Sequence, residues 1–354
     1  MTEPDIAKLR VYNQRLNHDK FKKPEDVVGY MCAMQAQEYA HAKWAIGLRM
    51  LSPADDIIEK AMTAGTILRT HVLRPTWHFV LPQDIRWMLS LTAPRINAGN
   101  AAMYKKQEVT DAIFNKSFDV FIKAMQGGKQ LIRAEIVTAL HEAGIATNDL
   151  RLTILLMKAE LEQLICSGPR QGKQLTYALL DERAPATPAK DRDDAIASLV
   201  LRYFVSHGPA TVNDFVHWSG LTVADAKIGI DINKDRLNNI TSNGITYWMN
   251  ADADFGAAKK SGAYLLPVYD EILIAYKNRD AMVPARFRDK MGAITFFPTI
   301  MVNNQVVGNW SRNIGKKSVD IELKPFDTLS QAQNQAVEMA ALRFKKFNGP
   351  YIKH

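Results

Sequence analysis

Two glutamines flank a single small apolar residue at Gln35-Ala36-Gln37. Neutral amides can hold a water by hydrogen bonds and turn the negative ends of their dipoles towards developing positive charge, yet they cannot serve as ordinary general bases near pH 7. A site built on them suits a hydrolysis whose leaving group is already activated, in which the protein need only position water and complement a cation. On one regular helix the two side chains would point about 200° apart, because each residue advances roughly 100°. In an extended segment, positions i and i+2 project to the same side. Convergence therefore requires the chain to leave its helix near Met34 or Gln35, with Ala36 turned into the protein. The alternative is a helix that continues to Tyr39 and leaves the glutamines as surface or capping groups. Glu38, the nearest carboxylate, would project opposite to both amides from an extended segment and is expected to be a salt-bridge or capping partner, with a catalytic base the alternative.

Other chemistries find no material. Gly127-Gly128-Lys129 lacks the spacing and the following Ser or Thr of a phosphate-binding loop. No His-Glu-x-x-His, paired Cys-x-x-Cys or Gly-x-Ser-x-Gly occurs. Cys32 and Cys166 are the only cysteines, each inside an apolar helical pattern, and read as buried small hydrophobes. No metal and no cofactor are expected. His71 and His78 fall on either side of a hairpin turn, where each is expected to be a hydrogen-bonded structural group, with a phosphate contact or a hold on Gln37 the alternatives. Trp44, Trp77 and Trp310 are expected in the core or at interfaces, with stacking on an extruded base the alternative.

The elements that must position these residues follow from periodicity. Helical spacing marks Ile6 to Leu16, Pro24 to about Met34, and Ala54 to Ala64, and two β-rich runs follow, Thr66 to Leu73 and Thr76 to Leu81. Three helices and a hairpin is the order of a winged helix. The pattern recurs with helices at Asp111 to Met125, Arg133 to Ala143 and Asp149 to Cys166 and a strand at Gln174 to Leu180. It recurs again with helices at Asp191 to Ser206, Thr211 to Ser219 and Thr222 to Ile232 and strands at Leu237 to Thr241 and Gly244 to Asn250. Pro185 to Lys190 reads as a linker. Beyond it, Ala293 to Val302, Gln305 to Arg312 and Ser318 to Leu323 alternate like antiparallel strands, with Asn303-Asn304 at a tight turn, and a helix from Ser330 to Phe347 closes the chain. The expected fold is helix-rich α+β: winged-helix units at 1–108, 109–184 and 191–262, then a C-terminal β-rich region at 263–354.

The 354 residues carry 45 Lys and Arg against 37 Asp and Glu, a formal charge of +8 that favours a polyanionic partner. The candidate recognition helices do not look like readers of bases: the first opens Ala54-Asp55-Asp56-Ile57-Ile58-Glu59, and the others offer isolated Arg151, Lys158 and Lys227. Positive charge gathers instead in loops and hairpins, giving as candidate DNA contacts Arg69, Arg74 and His78, then Arg170 and Lys173, then Arg286, Arg288 and Arg312; Lys105-Lys106 and Lys316-Lys317 add to it. Cationic loops of this kind grip a phosphate backbone without reading sequence. The N-terminal residues Met1-Thr2-Glu3-Pro4-Asp5 lack a basic region and an apolar core, and no window approaches a membrane span, so a cytoplasmic protein is expected.

Gln35-Ala36-Gln37 resembles the Gln-apolar-Gln motif of the winged-helix DNA glycosylases of the azinomycin-resistance, or AlkZ-like, family. Further blocks resemble the same family in order: Lys43-Trp44-Ala45-Ile46-Gly47-Leu48-Arg49, Arg69-Thr70-His71 with Leu73-Arg74-Pro75-Thr76-Trp77-His78, Leu266-Pro267-Val268-Tyr269-Asp270-Glu271, and Phe297-Pro298-Thr299 with Val306-Val307-Gly308-Asn309-Trp310. The resemblance implies tandem winged helices in a C-shaped scaffold, and hydrolysis of the N-glycosidic bond of cationic N7-alkylated purines in double-stranded DNA, bulky or crosslinked adducts included, with Gln35 and Gln37 catalytic. Pro75 stands where many relatives carry Gly, and Gln37 where a related branch carries Asp. A non-catalytic winged-helix DNA-binding protein is the alternative.

Overall fold

The computed structural model describes residues 2–148, 150–253, 262–315 and 318–349. The basic pair Lys316-Lys317 and the expected helix start at Asp149 lie outside the described residues. The fold is α+β and helix-rich, with small antiparallel sheets.

In chain order, α1 (Glu3–Asn13) opens on a capping box in which Thr2 and Asp5 exchange hydrogen bonds, and α2 (Pro24–Met31) opens on Pro24. The two-residue strand β1 (Met34–Gln35) leads to α3 (Tyr39–Leu48) and α4 (Asp55–Ala64). Then come the hairpin β2 (Leu68–Val72) and β3 (Thr76–Val80), α5 (Pro82–Lys106), α6 (Asp111–Met125), β4 (Leu131–Ile132), α7 (Arg133–Glu142), α8 (Arg151–Leu161), β5 (Ile165–Ser167), β6 (Thr176–Leu179) and α9 (Leu180–Arg183). A third stretch holds α10 (Arg192–His207), α11 (Val212–Ser219), α12 (Val223–Ile232), β7 (Leu237–Ser242) and β8 (Ile245–Asn250). The chain closes with β9 (Ala263–Leu266), α13 (Glu271–Ile274), a 3-10 turn (Ala285–Lys290), α14 (Met291–Phe296), β10 (Thr299–Val302), β11 (Gln305–Ile314), β12 (Val319–Pro325) and α15 (Gln331–Phe347).

Contacts divide the chain into two compact units: a discontinuous one of residues 1–59 with 196–354, and a central one of residues 60–195. In the central unit β5 and β4 flank β6 antiparallel, over a core that includes Phe114, Phe121, Leu140, Leu155 and Ile165. In the discontinuous unit β9 to β12 form an antiparallel sheet in the order β12-β11-β10-β9. Its β10–β11 turn uses Asn303 and Asn304 at φ of 51° and 66°, the left-handed pair that a tight hairpin needs. α15 packs on this sheet through Phe344, whose ring meets Trp310 edge-on at 4.9 Å and Trp44 of α3 at 5.1 Å. Gly47 is the reason α3 can lie so close: a β-carbon there would stand 2.9 Å from Phe347.

Several sequence expectations are corrected. The helix expected to reach Cys166 ends at Leu161, and Cys166 lies in β5; Cys32 is not helical either, but ends α2 at φ 70°. Ala293 to Val302 is not one strand: α14 takes its first residues, and only Thr299–Val302 pairs. α3 and α5 were not anticipated. α3 is buried from Ala42 to Leu48, so it shows no alternation of apolar and polar faces to read. Among the described residues no helix is long and apolar enough to cross a membrane.

Candidate active site

The exit from α2 is sharp. Cys32 at φ 70° cannot continue a right-handed helix, and the chain runs extended through Met34–Gln35. Burial then alternates along the segment: Met34 and Ala36 are buried, Gln35 is half-buried and Gln37 is exposed. Both glutamines therefore leave the backbone on the outer side, and Ala36 fills the inside. Glu38 departs from expectation. The chain bends at Gln37-Glu38, so Glu38 is exposed as well, and its carbonyl accepts from Ala42 N–H at 2.8 Å to begin α3.

α3 is clamped on the side of α4. Lys43, almost fully buried, reaches Asp55 Oδ2 and Glu59 Oε2, both at 2.8 Å, and Tyr39 OH donates to Glu59 Oε1 at 3.1 Å. The acidic opening of α4 thus has an internal cation to hold. At the far end of α3, Arg49 meets Asp270 through two bonds of 2.9 and 3.0 Å with both side chains fully buried, and Gln14 accepts another at 2.7 Å. Near the motif, His41 has Val268 N–H at 3.2 Å from Nδ1 and Arg312 Nε at 3.2 Å from Nε2. Burial above all, with the Arg312 charge beside it, drives its pKa down to about 3. The ring is neutral at pH 7, so in any one tautomer it accepts only one of those two donors. Arg312 itself feels the negative charges of Asp55 and Glu38, although burial works against its charged form.

Two residues here carried no local signal in the sequence. Glu271 accepts the Gln35 backbone N–H at 2.7 Å from 236 positions away, and His41 is joined to Arg312 across 271.

In the central unit the structure gathers Arg69, Trp77, Arg133, Glu160, Lys173 and Thr176 around a cleft of about 330 Å³. The Arg69 guanidinium lies 4.3 Å above the Trp77 ring, and its backbone N–H donates to Ser167 Oγ. Glu160 at the cleft is buried against His71. Arg133, which was not anticipated, and Lys173 are exposed. Arg74 is half-buried in the β2–β3 turn, and Arg170 is half-buried beside the exposed Lys173 loop. His78 is a correction: it is fully buried, with Nδ1 donating to the Thr76 carbonyl at 2.9 Å, so it is a structural histidine with no surface to offer DNA.

Back in the discontinuous unit, Arg286 and Arg288 are about two-thirds exposed and stand against Asp327 at 2.9 Å and Asp280 at 3.3 Å. Arg312 is half-buried and meets His41 in the first turn of α3. Among the described residues no group of His, Cys, Asp or Glu could hold a metal ion.

Gln35 and Gln37 thus stand on the outer side of a segment that runs extended from the end of α2 and is tied to Glu271 at the Gln35 N–H. The AlkZ-like DNA glycosylase family model matches residues 28–347, and the chain belongs to that family. An interstrand DNA cross-link repair glycosylase of Streptomyces sahachiroi is 25% identical, with 92% of this chain and 90% of that protein covered. The solved structure of Streptomyces sahachiroi DNA glycosylase AlkZ superposes with a TM-score of 0.79 at 21% identity, over 99% of this chain and 97% of that one. As a member of that family the protein is a DNA glycosylase, a hydrolase that acts on DNA.

Proposed function

We propose that the protein removes cationic N7-alkylated purines from double-stranded DNA by hydrolysing the N-glycosidic bond, with Gln35 and Gln37 at the attacking water. An N7-alkylguanine already carries positive charge, so the bond opens towards an oxocarbenium-like sugar without a strong general acid. The side-chain carbonyls of Gln35 and Gln37 accept hydrogen bonds from the water and set their dipoles against the growing sugar charge. The departing base takes the bonding electrons and becomes neutral, and the water's proton leaves to solvent. A pair of carboxylates, as in ordinary glycoside hydrolysis, is not needed.

The observation that carries this reading is the alternating burial from Met34 to Gln37, which turns both amides outward from one extended segment. The relative named for interstrand cross-link repair favours bulky and crosslinked adducts among the substrates. Arg69, Arg74, Arg170, Lys173, Arg286, Arg288 and Arg312 supply sequence-independent phosphate contacts, on winged-helix units at 1–108, 109–184 and 191–262 followed by the region 263–354, in a cytoplasmic enzyme. The test is release of base from duplex DNA containing N7-methylguanine, read as abasic sites cleaved on a gel. Gln35→Ala and Gln37→Ala are each expected to slow release by on the order of 10- to 1,000-fold, as loss of a preorganised polar group does. Equal rates for wild type and both variants would remove the assignment.

A further inference from the structure

We propose that Glu271 is a positioning residue for the glutamine pair: it fixes the Gln35 backbone so that both amides address one point. The proposal rests on the reading of Gln35 and Gln37 given above. Glu271, at the first turn of α13, is 1% exposed. Its two oxygens take donors from two different elements. Oε1 accepts the Gln35 N–H at 2.7 Å, and Oε2 accepts the indole N–H of Trp218 at 3.0 Å. Trp218 is fully buried in α11, so that side of the carboxylate has no freedom to move. A buried carboxylate is costly unless its lone pairs are met, and a charge-assisted bond to a backbone amide is among the stronger ones.

The rest of the corner from Leu265 to Glu271 works on the same stretch of chain. Leu265 O accepts the Trp44 indole N–H at 2.6 Å, Val268 N–H approaches His41, and Asp270 holds Arg49. The corner thus grips α3 at several points, while Glu271 alone reaches the glutamine segment among these contacts. Gln35 sits on a two-residue strand whose outward direction depends on the backbone torsions either side of its amide. Glutamate fits this place because a carboxylate is acceptor-only at both oxygens. A glutamine would turn its NH2 towards either the Gln35 or the Trp218 N–H.

That mismatch makes the experiment. Glu271→Gln is expected to lower the single-turnover rate on N7-methylguanine duplex by on the order of 100-fold, with DNA affinity unchanged, because a shift of about 1 Å in a positioned group costs that much. Adding Trp218→Phe removes the opposed donor. The amide oxygen can then face Gln35, and the NH2 can donate to His207 Nε2, which lies 3.6 Å from Glu271 Oε2. The double variant is expected to recover most of the lost rate at unchanged affinity. Glu271→Asp retains both acceptors but withdraws them by one methylene, and it is expected to slow the step without weakening DNA binding. A wild-type rate in Glu271→Gln or Glu271→Asp, or no recovery in the double variant, overturns the proposal. If Glu271→Gln does not fold, Glu271→Asp and the double variant decide the matter. Full activity in Gln35→Ala and Gln37→Ala would instead sink the catalytic reading itself, a different outcome from an inert Glu271.

Discussion

The stability of the site turns on single buried charges with two-sided satisfaction. Arg49 and Asp270 are both fully buried, and each is the other's main counterion. Arg49→Met leaves Asp270 uncompensated in the interior, and such a break costs about 3–5 kcal/mol; denaturant unfolding should show it as a lowered midpoint at unchanged slope. The histidines give a pH signature. Burial lowers the pKa of His41 to about 3 and that of His18 to about 4, both from 6.5. The unfolded chain therefore binds these protons first, so stability is undiminished above about pH 6.5 and falls as pH drops towards 3–4. Thermal unfolding should show a falling Tm over that window, with a shallower fall in His18→Gln/His41→Gln; parallel curves for the two proteins would contradict the assignment. The helix exit was legible because side-chain direction follows from local backbone: Gln35 and Gln37 can share a side only if the helix stops before them, and it stops at Cys32. Glu271 was not legible in its role, because its partner is a backbone N–H far along the chain and no side-chain pattern marks such a bond.

Elements with one buried face could be read, and elements without one could not. α6, α11 and α12 begin at Thr110, Thr211 and Thr222, whose hydroxyls accept from the third residue of each helix, and the sequence placed these helices to within a residue. α3 is buried nearly all round and was missed; α14 and β10 together read as a single alternating strand. Close approach of helices was likewise hidden. Gly229 of α12 lies where a β-carbon would meet Val200 of α10 at 2.4 and 2.7 Å and Ile196 at 3.1 Å. Gly229→Ala overpacks this contact and should cost about 1–3 kcal/mol. Gly99 in α5 has nothing within 4 Å of its would-be β-carbon. Gly99→Ala should therefore gain about 0.5–1 kcal/mol from helix propensity alone. Chemical denaturation of both variants checks the pair, and equal effects of one sign would contradict the packing described for α12.

For the molecule as a whole, the +8 charge says that a polyanion is welcome, but not which cations meet it. Eight positions stood out in the sequence because they fall in basic loops and hairpins, whereas their neighbours in space are not visible there. His78 is buried, and Arg286 and Arg288 each stand against an exposed aspartate that DNA would have to displace. Lys173 differs: it is exposed at a cleft it shares with Arg69, Arg133 and Trp77. Each phosphate neutralised lowers the slope of log K against log salt by about 0.9 for duplex DNA. Lys173→Gln should therefore weaken binding to undamaged duplex of any sequence alike and make that slope shallower by about 1. Arg286→Gln/Arg288→Gln should change it by less than two full contacts, since removing those guanidinium groups also frees two carboxylates. Fluorescence anisotropy over a range of salt concentrations measures both. A Lys173→Gln slope equal to that of the wild type would remove the central cleft from the DNA path, whereas a loss confined to one sequence would mean that the cleft reads bases rather than backbone.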